Sequence, residues 1–224
     1  MHEIRCDQLS KTFGTGAGAV EAVRGVTASF CSGTFYSIIG KSGSGKSTML
    51  HMLSGLLEPT SGKVYYDGVV ISKLSRRETE KVRRTQVGFI FQDYQLLPEL
   101  TVKENIILPL ILNDSPVDKV WCNTILERLE ITDIAHKYPQ ELSGGQQQRV
   151  AIGRAIIHRP PFIFADEPTG NLDRKTREAV LGLLLEIRSL YDPMILLVTH
   201  DLDIARSSDT ILYIEDGRFQ EVIP

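Results

Sequence analysis

Eight consecutive residues, Gly40-Lys41-Ser42-Gly43-Ser44-Gly45-Lys46-Ser47, constrain this chain more than any others. They follow Phe35-Tyr36-Ser37-Ile38-Ile39, a short apolar run ended by a glycine loop, as in a buried strand. Residues 46–55 continue as a helix. Strand, glycine loop and helix in that order fit G-x-x-x-x-G-K-[ST], a loop built to hold phosphate. The glycines let the backbone bend until successive N–H groups point inward at phosphate oxygens. Lys46 adds a mobile positive charge at the β- and γ-phosphates, and the Ser47 hydroxyl can ligate Mg²⁺. The helix that follows directs its positive end at the anion. Gly40, Ser42, Gly43, Ser44, Gly45, Lys46, Ser47 and Thr48 are therefore expected to bind nucleotide. A flexible Gly/Ser linker would not have flanks so apolar and so regular.

The rest of the chain must supply a core for that loop. With 224 residues, 42% hydrophobic, there is material for one substantial core and a small inserted lobe. No stretch reaches the roughly 18 consecutive apolar residues of a membrane helix, and MHEIRCDQLS lacks the regions of a signal peptide. An intracellular chain that does not itself cross a membrane is expected. The net charge is −3 and the longest basic cluster is Lys81-Val82-Arg83-Arg84, which reads as a solvated helix face. No nucleic-acid partner is expected. Cys6, Cys31 and Cys122 are odd in number without C-x-x-C spacing, as for reduced thiols with no metal role.

Strands are expected at residues 4–11, 26–30 and 34–39, with a further short one at Tyr65-Tyr66 ending in the Asp67-Gly68 turn. From residue 101 to about 138 the periodicity is helical, with Ser115 and Pro116 as a cap and first-turn pair and Trp121 in the core. This region reads as a helical lobe inserted into an α/β core. Two buried strands, 162–165 and 194–199, flank a helix over 174–190 that carries Val180, Leu183, Leu184 and Ile187 on one face. Strand, helix, strand with near-continuous apolar strands implies a parallel sheet. ILYIEDGRFQEV reads as a hairpin on an Asp-Gly turn.

The strand at 162–165 ends in Asp166-Glu167. In parallel sheets ligands lie at the carboxyl ends of strands, where the glycine loop also sits. Asp166 is then placed to hold Mg²⁺, and Glu167, pointing differently, to polarise an attacking water as general base.

Leu142-Ser143-Gly144-Gly145-Gln146, within LSGGQQQRVAIGRAI, closely resembles the signature of the ATP-binding-cassette (ABC) ATPases. On physical grounds Ser143 is a helix N-cap with two glycines in the first turn, exposing N–H groups to an anion. The resemblance runs over nearly the whole chain. It implies that Gln92 touches Mg²⁺ and the attacking water, that Asn171-Leu172-Asp173 is a nucleotide-facing loop contributing Asp173, and that His200 holds the γ-phosphate. It also implies that Phe13 stacks on adenine with Val20 as a second apolar contact. Tyrosine is more usual at the position of Phe13, and the GTGAGA run after it lengthens the loop, but stacking needs only a ring face. The implied fold is one domain, 1–224. Its α/β, P-loop NTPase (RecA-like) parallel-sheet core carries an N-terminal antiparallel β subdomain (1–92 and 140–224 together) and an inserted helical subdomain at about 93–139.

The implied activity is ATP hydrolysis with Mg²⁺. Each ATP would lie between the glycine loop of one copy and Ser143, Gly144, Gly145 and Gln146 of a second, in a head-to-tail pair driving an integral membrane permease from its cytoplasmic face. EPTGNLD, FQDYQLLPELTVKEN and ILPLIL further resemble the ATPases of lipoprotein release, macrolide export, cell division and antimicrobial-peptide resistance. Amino-acid and metal importers share LSGGQQQR and remain an alternative, as does a soluble non-transport ABC ATPase. Intact Glu167 argues against a non-hydrolysing module. A permease would dock near residues 92–100 and 101–110, where Tyr94, Leu96, Leu97 and Leu100 cluster, unless these pack the lobe's own core.

Overall fold

Strands buried on both faces read as unbroken apolar runs. Five such residues, Met194 to Val198, all have no exposed surface. They form the middle of a six-stranded sheet in a computed structural model that describes residues 1–170 and 172–223. In chain order the strands are β1 (Glu3–Phe13), β2 (Val20–Cys31), β3 (Phe35–Ile39), β4 (Ser61–Tyr66), β5 (Val69–Val70), β6 (Val87–Ile90), β7 (Phe162–Asp166), β8 (Met194–Val198), β9 (Thr210–Glu215) and β10 (Arg218–Ile223). The helices are α1 (Lys46–Leu53), α2 (Arg76–Gln86), α3 (Val102–Leu112), α4 (Lys119–Arg128), α5 (Gly144–Ile156), α6 (Arg174–Tyr191) and α7 (Leu202–Ala205).

The large sheet runs β10-β9-β3-β8-β7-β6. Every neighbouring pair from β9 to β6 is parallel, and β10 returns antiparallel on β9 across the Asp216-Gly217 turn. A smaller antiparallel sheet, β2-β1-β4-β5, lies beside it. Alternate residues of β7 and β8 serve two cores. Ile163, Ala165, Ile195 and Leu197 pack with α3, α4, α5 and α6, while Phe162, Phe164, Met194, Leu196 and Val198 pack with α1 and the small sheet. Each such large apolar side chain contributes about 1.5–3 kcal/mol on burial. The two-sided demand on β7 and β8 is why neither strand alternates in polarity.

Two expectations are corrected. The second strand starts at Val20 rather than 26, because β1 and β2 form a long ribbon whose register slips around Cys6–Leu9. Gln8 (φ 47°) and Gly25 (φ 59°) take left-handed backbone there, which breaks the period-2 pattern that a sequence reading relies on. The fourth helix is not capped by Ser115 and Pro116. It begins at Lys119, and the Asp118 carboxylate accepts from the N–H groups of Val120 (3.0 Å) and Trp121 (3.1 Å). Val180, Leu184 and Ile187 are buried on the inward face of α6, and Leu183, half-buried, packs against the same core as expected. Trp121 packs against the core as expected, with Nε1 donating to Ile157 O at 3.0 Å.

Asp118→Ala should lower the thermal midpoint measured by circular dichroism, and Ser115→Ala should leave it unchanged. The Trp121 N–H holds the Asp118 carboxyl below its ordinary pKa, against desolvation and with help from Arg159. A carboxyl depressed in the folded state stabilises above its unfolded pKa of about 3.9. The contribution is lost as pH falls through the folded value, so the Asp118→Ala deficit should shrink below about pH 4.

Candidate active site

Hydrogen-bonded register puts the candidate groups level. Ile38 of β3 pairs with Val198 of β8, and Val198 pairs with Asp166 of β7. Ala165 pairs in turn with Ile90 of β6. The next residues on these four strands lead into the 40–45 loop, His200, Glu167 and Gln92. Four segments far apart in sequence therefore leave the sheet at one carboxyl edge.

The glycine loop is shaped by what crowds it. A Cβ on Gly40 (φ 156°) would lie 2.2 Å from Ile214 O and 2.8 Å from Ser44 Oγ. One on Gly45 (φ 104°) would lie 2.2 Å from Ala22 O. Neighbouring strands thus press the loop into a tight cradle that side chains would fill. Lys46 is buried, and its ammonium donates to Gly40 O (2.9 Å) and Lys41 O (2.8 Å). Ser44 Oγ is buried without a hydrogen-bond partner.

Helix capping singles out α1. Ser75, Thr101, Asp118, Ser143, Asp173 and Asp201 cap the other six helices with their side chains. The N-cap of α1 is Gly45, which has no side chain to offer. Its first-turn N–H groups and positive dipole end face the loop, as an anion site requires.

Ser47 Oγ donates to Asp166 Oδ1 at 2.8 Å, so the two expected metal ligands already touch. A hydroxyl and a carboxylate are the hard oxygen donors that Mg²⁺ takes, and the cradle beside them fits a phosphate. Glu167 sits at φ 46°, a costly conformation for a non-glycine residue and one that concentrates at functional sites. His200 Nδ1 donates to Glu167 Oε2 at 2.7 Å, since an ionised carboxylate can only accept. Gln92 is exposed, with Nε2 3.2 Å from where a Cβ on Gly170 would lie.

Phe13 and Val20 are direct cross-strand partners, 44% and 63% exposed, and so form one open apolar pair. Val20 lies two residues from Ala22, whose carbonyl touches the loop. Lys11 Nζ stands 5.4 Å from the Phe13 ring centroid, a cation–π contact.

The Ser143 segment faces elsewhere. Ser143 and Gln146 form a reciprocal capping box. A Cβ on Gly144 would lie 3.0 Å from the Tyr94 hydroxyl, and one on Gly145 would lie 2.8 Å from the Thr176 methyl. None of these contacts reaches the 40–48 loop. Asp173 caps α6, accepting from Thr176 N (3.1 Å) and Thr176 Oγ1 (2.7 Å). Asn171 lies outside the described residues.

Sequence reasoning missed several neighbours. His51 Nε2 is 3.2 Å from Asp166 Oδ2 but makes no hydrogen bond there. Arg177 joins Leu172 O (3.1 Å) to Asp201 Oδ2 (2.9 Å), bracing the segment next to His200. An α-helical histidine or arginine carries no sequence mark of such a role.

A phosphate cradle, an uncapped helix and paired carboxylates at one sheet edge define a P-loop nucleotide hydrolase. The ABC transporter family model matches residues 23–170, well over half of the chain. The chain belongs to the ABC transporter family as an ATP-binding subunit, an ATPase with the cassette fold. It is 40% identical over 224 residues to the lipoprotein-releasing system ATP-binding protein LolD of Xanthomonas campestris pv. campestris (strain 8004), covering 99% of this chain and 93% of that one. It also resembles MJ0796 of Methanocaldococcus jannaschii. A dimeric structure of that cassette matches at TM-score 0.89 and 39% identity, over 98% of this chain and 97% of that one. A second dimeric structure of MJ0796, in a post-hydrolysis state bound to ADP and Pi, matches at 0.89 and 38% with the same coverage.

Gly45→Ala should weaken ATP binding in titration calorimetry at least about tenfold, or 1.4 kcal/mol, because its Cβ would displace Ala22. Lys41→Ala should not, since Lys46 uses the Lys41 carbonyl rather than the side chain.

Proposed function

We propose that two copies of this chain close head to tail on two Mg-ATP and thereby drive a membrane permease. The uncapped start of α1, level with Ser47–Asp166 and Glu167–His200, is the observation that carries the ATPase half of this reading. Lys46 and the loop N–H groups hold the phosphates. Ser47, Asp166 and Gln92 would hold Mg²⁺, which when bound neutralises charge developing on the phosphate oxygens. Glu167 takes the proton of the attacking water, and its hydrogen bond aims His200 at the γ-phosphate. Phe13 and Val20 offer the apolar face on which adenine stacks.

The pairing half rests on the Ser143 turn. It is exposed, and its glycines meet Tyr94 and Thr176 rather than this chain's own loop, so it is free to face the ATP of a second copy. The dimeric cassettes of MJ0796 support the same reading. ATP then favours the closed pair and hydrolysis removes that preference.

The permease half rests on a groove of about 420 Å³ between the sheet edge and α3. Phe89, Phe91, Leu108, Pro109 and Leu112 line it, with Arg84 at its rim. No helix among the described residues is long and apolar enough to cross a membrane, and the transport role proposed here assigns that crossing to a partner. We place the chain on the cytoplasmic face, with 93–139, which holds α3 and α4, as the helical subdomain that passes motion to the partner. Leu97 of the expected docking segment is exposed, whereas Leu96 packs against the core. Likeness to LolD favours the lipoprotein-release group.

Glu167→Gln should keep ATP binding and lose about 10²–10⁴-fold in turnover, or roughly 3–5 kcal/mol of barrier. Wild-type turnover would remove Glu167 from the role of base. Ser143→Arg and Lys46→Ala should each be inactive alone. Mixed, they should regain partial activity, because a head-to-tail heterodimer unites the intact loop of one with the intact Ser143 segment of the other. No rescue in proven heterodimers would refute the composite site.

A further inference from the structure

Arg154 lies on α5, whose first turn carries Gly144 and Gly145, and turns its guanidinium toward the loop that follows Gln92. Nη2 donates to Tyr94 O at 2.7 Å and Nη1 to Gln95 O at 2.5 Å. Tyr94 (φ 57°) and Gln95 (φ 49°) are consecutive non-glycine residues in left-handed backbone. L residues leave that conformation unless their surroundings hold them in it. Both hydrogen bonds of the Arg154 guanidinium among the described residues go to backbone carbonyls, although burial disfavours its charged form. Desolvating a guanidinium is costly, and a helix that needed only apolar packing here would be served as well by methionine. What an apolar residue could not do is fix two adjacent carbonyls with one planar fork.

The same loop is gripped again nearby. The Tyr94 hydroxyl rests against Gly144, where a Cβ would lie 3.0 Å away. Tyr94 is therefore held at its carbonyl by the far part of α5 and at its ring by the first turn of α5. Further along, the fully buried Asn105 accepts from Leu97 N (2.8 Å) and donates to Leu97 O (3.0 Å) and Leu100 O (2.9 Å). Gln92 stands two residues before the first of these anchors.

We propose that Arg154 is a positioning residue that fixes the Gln92 loop to α5, so that Gln92 and the Ser143 turn move as one unit. The proposal rests on the role given to Gln92 above. In a head-to-tail pair Gln92 serves the ATP on its own loop and the Ser143 turn serves the other ATP. Arg154 then links groups that act on both nucleotides, and whatever shifts α5 shifts Gln92 with it.

Arg154→Met removes the donors at similar length, and Arg154→Lys keeps the charge without the fork. Amide hydrogen exchange of a peptide spanning 92–97, without nucleotide, should quicken in Arg154→Met and less so in Arg154→Lys, with peptides of β3 and β8 unchanged. Turnover should fall by up to about 10²-fold, the scale of loss from small misplacement, with ATP affinity kept. Adding Arg154→Met to Gln92→Ala should cause no further loss. Unchanged exchange at 92–97 overturns the proposal, as do losses that multiply in the double variant. If Gln92→Ala alone turns over like wild type, the role of Gln92 fails and the coupling falls with it. Quickened exchange in that case would show that the clamp exists but serves no catalytic group. If Arg154→Met does not fold, the exchange and double-variant comparisons pass to Arg154→Lys with the same criteria.

Discussion

A parallel sheet brings the carboxyl ends of its strands to one edge, and this protein's chemistry depends on that edge. The row Ile38–Val198–Asp166 fixes β3, β8 and β7 to a common level through backbone hydrogen bonds. A slip of one residue in β7 would exchange Asp166 with Glu167 and also turn Phe162 and Phe164 into the wrong core. The two cores therefore enforce the register that the site needs. Packing and chemistry are satisfied by the same alignment.

Three functional side chains at this edge are held by protein partners. Lys46 is held by the carbonyls of Gly40 and Lys41, Ser47 by Asp166, and His200 by Glu167. Such pairing holds the side chains near their working positions, so little reorganisation is left for the reaction itself. Among the described residues, the first turn of α1 has no side-chain cap for its N–H donors, and a phosphate is the partner that fits them.

Helical elements outside the sheet carry the communication. Gly144 and Gly145 let Tyr94 and Thr176 approach α5 closely, and Thr176 is bound in turn by Asp173. Arg177 connects Leu172 to Asp201, one residue beyond His200. The Ser143 turn is thereby in mechanical contact with the loops on both sides of β7, although it takes no part in its own chain's phosphate cradle.

By itself the sequence determined what depends on residue type and local spacing. The glycine loop, the acidic end of β7, the Ser143 cap and the continuous apolar strands were all legible, because each is a short pattern with a physical meaning. It failed where the signal was local but degenerate: Asp118 rather than Ser115 caps α4, and the bulge near Gln8 hid the start of β2. Tertiary structure alone decided the rest. That His51 meets Asp166, that Arg177 braces the turn after His200, and that Arg154 clamps the carbonyls of Tyr94 and Gln95 depend on elements dozens of residues apart. An arginine or histidine on a helix has the same sequence appearance whether it faces water or a neighbouring backbone. Only the packing of the sheet and its helices gives those side chains their partners.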